Sequence, residues 1–178
     1  MQEGNPPLNL QEGDRWELHR QISPGALQLD STDLEKILPI DRERMLIDRV
    51  ISLRPGVYAI AEKAVSAGPK EQQFRGREQF SFPSTLAFSA LEQLSMVVLL
   101  AEFPSSSVTE FPSLFAIDSI EVCAEMMEPG VLHVHARSEG DIDDLEIGAD
   151  NCCSFVGEVT VNGENFVTAS WKMKKGKP

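Results

Sequence analysis

The sequence predicts an α+β fold in which an antiparallel sheet wraps round one long central helix. Three observations carry that expectation. Residues 85–102, between Pro83 and Pro104, are apolar on nearly every helical face, and a helix of that kind must be covered on all sides. Two runs rich in Val and Ile, Met45–Leu53 and Val57–Ala67, are separated by Arg54-Pro55-Gly56 and read as a hairpin. Four later segments, Phe115–Ala124, Val131–Arg137, Asn151–Val161 and Glu164–Lys174, have strand composition with partial alternation. Asn162-Gly163 between the last two is the preferred two-residue hairpin signal.

The remaining elements follow in chain order. Residues 1–30 contain Pro6, Pro7, Gly13, Pro24 and Gly25 among scattered charges and read as an extension preceding one domain over 31–178. Ser31 and Thr32 are N-cap candidates for a short helix with Glu35 in capping-box spacing, and Pro39 discourages its continuation. The long segment is not a membrane span, because Glu92 and Gln93 interrupt it and no positive flank follows. No repeat, phosphate-binding glycine loop or other cofactor motif is visible.

Composition limits the function. With 42% hydrophobic and 25% charged residues, the 178-residue chain can bury a core of ordinary size. Its net charge of −12 has the wrong sign for coating nucleic acid or anionic lipid. The acidic excess sits in residues 101–170, which hold fourteen carboxylates and only Arg137 as a cation. Three cysteines without C-x-x-C spacing suit a reducing compartment, and the first residues lack a signal-peptide pattern, so a cytoplasmic location is expected.

Several stretches, in order and spacing, resemble the hotdog-fold 3-hydroxyacyl-(acyl carrier protein) dehydratases. Leu38-Pro39-Ile40-Asp41-Arg42-Glu43-Arg44-Met45-Leu46-Ile47-Asp48-Arg49-Val50 is similar to that family's L-P-H-R-x-P-x-L-L-V-D-R-V, and Arg54-Pro55-Gly56 follows. Phe74-Arg75-Gly76-Arg77 falls where the family has F-x-G-H. Pro83 to Gln93 resembles P-G-V-L-x-x-E-A-x-A-Q at the start of the central helix. Phe115-Ala116-Ile117-Asp118, Glu128-Pro129-Gly130 and Phe155 to Gly163 complete the pattern, which spans roughly residues 38–174. The resemblance implies a hotdog domain, a homodimer with sheets joined edge to edge, and a fatty acyl thioester of acyl carrier protein or coenzyme A as ligand.

The resemblance implies that the family's catalytic pair is replaced in this chain. The family uses a His as base and a carboxylate as acid, and the corresponding positions here are Arg77 and Ser89. Arginine stays protonated near neutral pH, and a serine hydroxyl without an adjacent base is a poor acid. Relative to the family loop, two residues are missing between Gly76 and Pro83, but no slip there restores a histidine, since none lies between residues 20 and 132. The resemblance therefore leaves Glu92, Gln93 and Ser89 as the catalytic candidates. Arg75, Gly76, Arg77 and Pro83 form the substrate-binding set, the arginines near the mouth of the acyl tunnel.

Each candidate has a plainer structural role. Glu92 lies one turn after Ser89 on the same side of the helix and could face a cleft as a thioesterase-like carboxylate, or pair with an arginine. Gln93 could order polar contacts at the site or satisfy a backbone group. Arg42, Arg44, Arg49 and Arg54 could greet an acidic carrier protein, although interleaved Asp41, Glu43 and Asp48 suit solvated ion pairs. His133 and His135 share one strand face and would bind metal only with a third ligand. Asp141, Asp143, Asp144 and Glu146 lack calcium-loop spacing and read as a solvated acidic loop. Three functions stay open: a dehydratase-like enzyme, a thioesterase using Glu92, and a non-catalytic acyl binder or scaffold.

Overall fold

The computed structural model describes residues 27–66, 80–101, 108–139 and 152–176. Strand β1 (Leu27–Leu29) leads into helix α1 (Ser31–Ile37), a 3-10 turn at Arg42–Arg44, and strands β2 (Arg49–Arg54) and β3 (Tyr58–Val65). Helix α2 (Ser84–Leu100) follows, then β4 (Ser113–Val122), β5 (Gly130–Glu139), β6 (Cys152–Val161) and β7 (Glu164–Lys174). All seven strands form one antiparallel sheet in the order β1-β2-β3-β5-β6-β7-β4. The α+β arrangement expected from the sequence is present, with α2 lying across β3, β5, β6 and β7.

Small residues explain how the helix approaches the sheet. Ala59, Ala136, Gly157 and Ala169 are successive partners across β3, β5, β6 and β7, making a low track on the helix-facing side. A Cβ on Gly157 would collide with the His135 carbonyl and lie 2.8 Å from both Leu91 and Trp171. Trp171 is fully buried, stacked on Phe155 at 5.8 Å and meeting Phe88 edge-on. Its indole N–H donates to Ser95 Oγ at 3.1 Å, and Ser95 in turn donates to the Leu91 carbonyl at 2.7 Å. Sheet and helix are thus tied by one polar chain inside an apolar contact.

Local signals were legible with shifts at the ends. Asp30, rather than Ser31 or Thr32, caps α1: its carboxylate accepts from Thr32 N at 2.8 Å and Asp33 N at 3.0 Å, and Asp33 completes the box. The capping residue lies one position earlier because Asp30 is in extended conformation and Ser31 is already helical. The first hairpin begins at Arg49, four residues later than Met45. Met45 and Ile47 are buried, but the Asp48 carboxylate accepts from Lys63 Nζ and Ala64 N, both at 2.7 Å, so the 45–48 segment is folded onto the hairpin by side-chain bonds. Only its last residue is joined to the hairpin by backbone, Asp48 N donating to the Glu62 carbonyl at 2.8 Å, so the alternation at Met45 and Ile47 reflects burial. β4 starts and ends two residues before the expected run, and β1 brings residues assigned to the extension into the sheet. The Asn162-Gly163 turn has positive φ at both residues, 52° and 84°, as a type I′ hairpin requires.

Both ends of α2 are anchored. Phe82 N donates to the Met126 carbonyl at 3.0 Å just before the helix begins. At the other end Gly56 N donates to the Val98 carbonyl at 2.9 Å, so the β2–β3 turn satisfies a helix-terminal acceptor. Ser138 fixes that turn, its hydroxyl donating to the Gly56 carbonyl at 2.8 Å and its amide to Val57 at 2.8 Å. No helix among the described residues is long and apolar enough to cross a membrane.

Candidate functional site

Helix α2 exposes one short strip. Thr85 and Leu86 are exposed, Ser84, Ser89, Glu92 and Gln93 are half-buried, and the other eleven residues are covered. The strip lies on the first half of the helix because the apolar run from Leu94 to Leu100 is covered on all sides. Ser89 and Glu92 stand three residues apart, about 4.5 Å along the axis.

Glu92 is the chemically distinctive member. Burial without compensating charge holds its carboxyl above the ordinary carboxylate range. Among the described residues it has neither a hydrogen-bond nor an ion-pair partner, so the arginine pairing considered from the sequence is not formed there. A half-buried carboxyl in this state can exchange a proton closer to neutral pH than an ordinary glutamate. Ser89 is beside it without a side-chain hydrogen bond among the described residues, and no histidine or cysteine belongs to the strip.

Gln93 performs the backbone-satisfying role. Its Oε1 accepts from Leu46 N at 2.7 Å and its Nε2 donates to the Arg44 carbonyl at 3.0 Å. The residues it holds were not singled out as its partners by the sequence. A polar amide in so apolar a helix was the available signal, but its partners lie 47 and 49 residues away. Leu86, 39% exposed, is a further member of the strip that sequence reasoning passed over as core. It places apolar surface one turn before Ser89.

Pro83 is the exposed residue preceding α2, whose carbonyl accepts from Leu86 N at 3.0 Å. Arg75, Gly76 and Arg77 lie outside the described residues, as do Asp141, Asp143, Asp144 and Glu146. In the basic set, Arg42 pairs with Glu35 at 3.1 Å and Arg49 with Glu62 at 2.6 Å, while Arg44 and Arg54 form no ion pair among the described residues. His133 and His135 do share a face, on the side of the sheet away from α2. They lie 3.7 Å from Glu62 and Glu158 respectively. Burial lowers the His133 pKa, with Glu62 opposing and Arg49 adding to the effect. No group of three metal-ligating side chains occurs among the described residues.

Comparison with known proteins places this geometry. No family model matches the chain. It is 39% identical over 74 residues to the 3-hydroxyacyl-(acyl-carrier-protein) dehydratase FabZ of Latilactobacillus sakei, a match covering 40% of this chain and 51% of that protein. The match thus spans about half the length of its curated relative. Among solved structures it resembles the dehydratase heterocomplex ApeI:P from Xenorhabdus doucetiae, with a TM-score of 0.61, 16% identity, and coverage of 82% of this chain and 90% of that one. It also resembles Cj0977, a sigma28-regulated virulence protein from Campylobacter jejuni, with a TM-score of 0.56, 11% identity, and coverage of 82% and 89%. At these identities the structural likenesses establish the fold. The chain is a hotdog-fold protein, related in sequence over part of its length to an acyl-carrier-protein dehydratase.

Proposed function

We propose that the protein binds and processes fatty acyl thioesters, of acyl carrier protein or coenzyme A, along the exposed strip of α2. The observation that carries this reading is the half-buried Glu92 carboxyl, raised in pKa and without a partner among the described residues, with Ser89 one turn before it on the strip. In a dehydratase-like reaction Glu92 would hand a proton to the leaving hydroxyl of a 3-hydroxyacyl thioester. Standard dehydration also needs a base, and the position that resembles the family's His is Arg77. Thioester hydrolysis is the second reading, favoured by the same carboxylate, which would deprotonate the attacking water. Gln93 is assigned a positioning role through the Arg44–Leu46 backbone.

The working unit in this reading is a homodimer. β4 is an edge strand, and Ile117, Ile120 and Val122 pair with the helix-facing residues Trp171, Ala169 and Val167. They are nevertheless 48%, 43% and 51% exposed. Apolar side chains left about half exposed on the inner face suit a second copy that covers them.

The test is turnover of a 3-hydroxyacyl thioester and of a saturated acyl-CoA side by side, following water loss and free thiol. Water loss abolished by Glu92→Gln supports the dehydratase-like reading. Thiol release abolished by the same substitution moves the protein to hydrolysis. Silence on both, with an acyl ligand retained in native mass spectrometry, makes it a non-catalytic acyl binder.

A further inference from the structure

The outer face of the sheet, away from α2, carries an arrangement that the acyl-thioester reading does not use. Arg54 on β2 pairs with Tyr58 on β3, and Tyr58 pairs with Arg137 on β5. Directly paired residues of an antiparallel sheet project to the same side, so the three form one row, with the arginine Cα atoms two strand spacings, or about 10 Å, apart. Both guanidinium groups can therefore reach a group seated over the tyrosine.

Neither guanidinium forms an ion pair or hydrogen bond among the described residues, although the chain carries 28 acidic residues against 16 basic ones. Arg137 Nε is buried without a hydrogen-bond partner. Glu139, two residues along the strand on the same face, makes no ion pair with it, and Glu158, diagonally across on β6, lies against His135 at 3.7 Å. A guanidinium N–H withdrawn from water without an acceptor is costly, and an oxyanion is the group that would satisfy it.

The backbone under the row is held firmly. Ser138, next to Arg137, bonds the carbonyls of Gly56 and Val57 in the turn that follows Arg54. Gly56 N is fixed in turn to Val98 of α2. Tyr58 Oη lies 3.2 Å from Ser52 Oγ, which orients the phenol while leaving it able to donate outward with Ser52 as donor to it. Three donor-bearing side chains on three strands thus share one row, and two positive charges suit a doubly charged oxyanion.

We propose that Arg54, Tyr58 and Arg137 form a binding site for a phosphate dianion on the outer face of the sheet. Two sources share this chemistry, free inorganic phosphate and the terminal phosphate of an organic ester. The sheet itself separates this row from the exposed strip of α2, so the proposal does not depend on Glu92 or on acyl-thioester chemistry.

The experiment is a titration of the purified full-length protein with inorganic phosphate and, separately, phenyl phosphate at constant ionic strength, read by calorimetry and by backbone amide shifts. The expected result is saturable binding at millimolar concentration or below that perturbs the amides of residues 54–58 and 136–138. Arg54→Gln and Arg137→Gln should each weaken it about tenfold or more, the loss expected for a charge-assisted contact, while Arg44→Gln, an exposed arginine elsewhere, leaves it unchanged. Arg54 is exposed, so its variant tests the site even if Arg137→Gln disturbs folding. Tighter binding of phenyl phosphate supports the site and assigns it to an ester; equal binding supports a site that reads the phosphoryl group alone. No saturable binding of either compound up to about 20 mM, or equal weakening by Arg44→Gln, overturns the proposal.

Discussion

The Gln93 carboxamide holds Leu46 from 47 residues away, accepting its amide proton at 2.7 Å while donating to the Arg44 carbonyl at 3.0 Å. Helix α2 and the segment before β2 are joined by this one side chain. Replacing it with Leu keeps a similar volume but leaves the part-buried Leu46 N–H without its acceptor and the exposed Arg44 carbonyl without its donor. Gln93→Leu should therefore cost about 1–3 kcal/mol of unfolding free energy, measured by urea denaturation. A loss below about 0.5 kcal/mol would mean that water replaces both bonds.

Gly157 lies where the helix and sheet come closest. A methyl group there would strike the His135 carbonyl and press on Leu91 and Trp171. The carbonyl is part of the ladder and cannot swing aside as a flexible side chain could. Gly157→Ala should destabilise the protein by about 2 kcal/mol or more and alter the near-ultraviolet signal of Trp171, whereas Gly163→Ala at the hairpin should leave that signal intact.

Glu92 makes stability depend on pH in a definite direction. Its folded pKa is raised by burial, so the native state binds its proton more tightly than the unfolded chain does. The resulting stabilisation is present below the unfolded glutamate pKa and is lost as pH rises through the folded value. Thermal melts of Glu92→Gln should exceed the wild type at pH 7–8 and converge with it, or fall below, near pH 4. Identical shifts at both pH values would show that the carboxyl is solvated like any surface glutamate.

His133 adds the opposite dependence. Its pKa is lowered by desolvation, with Arg49 contributing, so its charging favours the unfolded chain. Stability from this residue is present above about pH 6.5 and declines as pH falls through the lowered folded value. His133→Gln should flatten the wild-type loss of melting temperature between pH 7 and pH 5; an unchanged slope would assign that loss to other groups.

The exposed inner-face residues of β4 bear on assembly. Ile117→Lys and Ile120→Lys place charges where a second copy would cover apolar surface. In sedimentation velocity they should convert a dimer to a monomer with the fold retained by circular dichroism. Persistence of the dimer in both variants would remove β4 as its seam.

Much of this architecture was legible in the chain because the signals are local. Pro83 and the all-round apolar run bound α2, Asn162-Gly163 dictates its turn through positive φ, and Arg54-Pro55-Gly56 separates β2 from β3. The strip containing Ser89, Glu92 and Gln93 was also visible, since three or four residues bring a helix back to one face. Other features depended on contacts between distant residues. Asp30 rather than Ser31 caps α1 because the backbone conformation decides between neighbouring polar side chains, and Met45–Asp48 packs beside the hairpin as buried irregular chain that a composition-based reading takes for strand. What the sequence determined alone was the set of elements and the family they resemble. Only the tertiary structure decided that Gln93 serves backbone, that Glu92 lacks a partner among the described residues, and that Arg54 and Arg137 flank Tyr58 in one row. Periodicity and turn chemistry act over a few residues, whereas desolvation and charge compensation depend on which distant strands the sheet sets side by side.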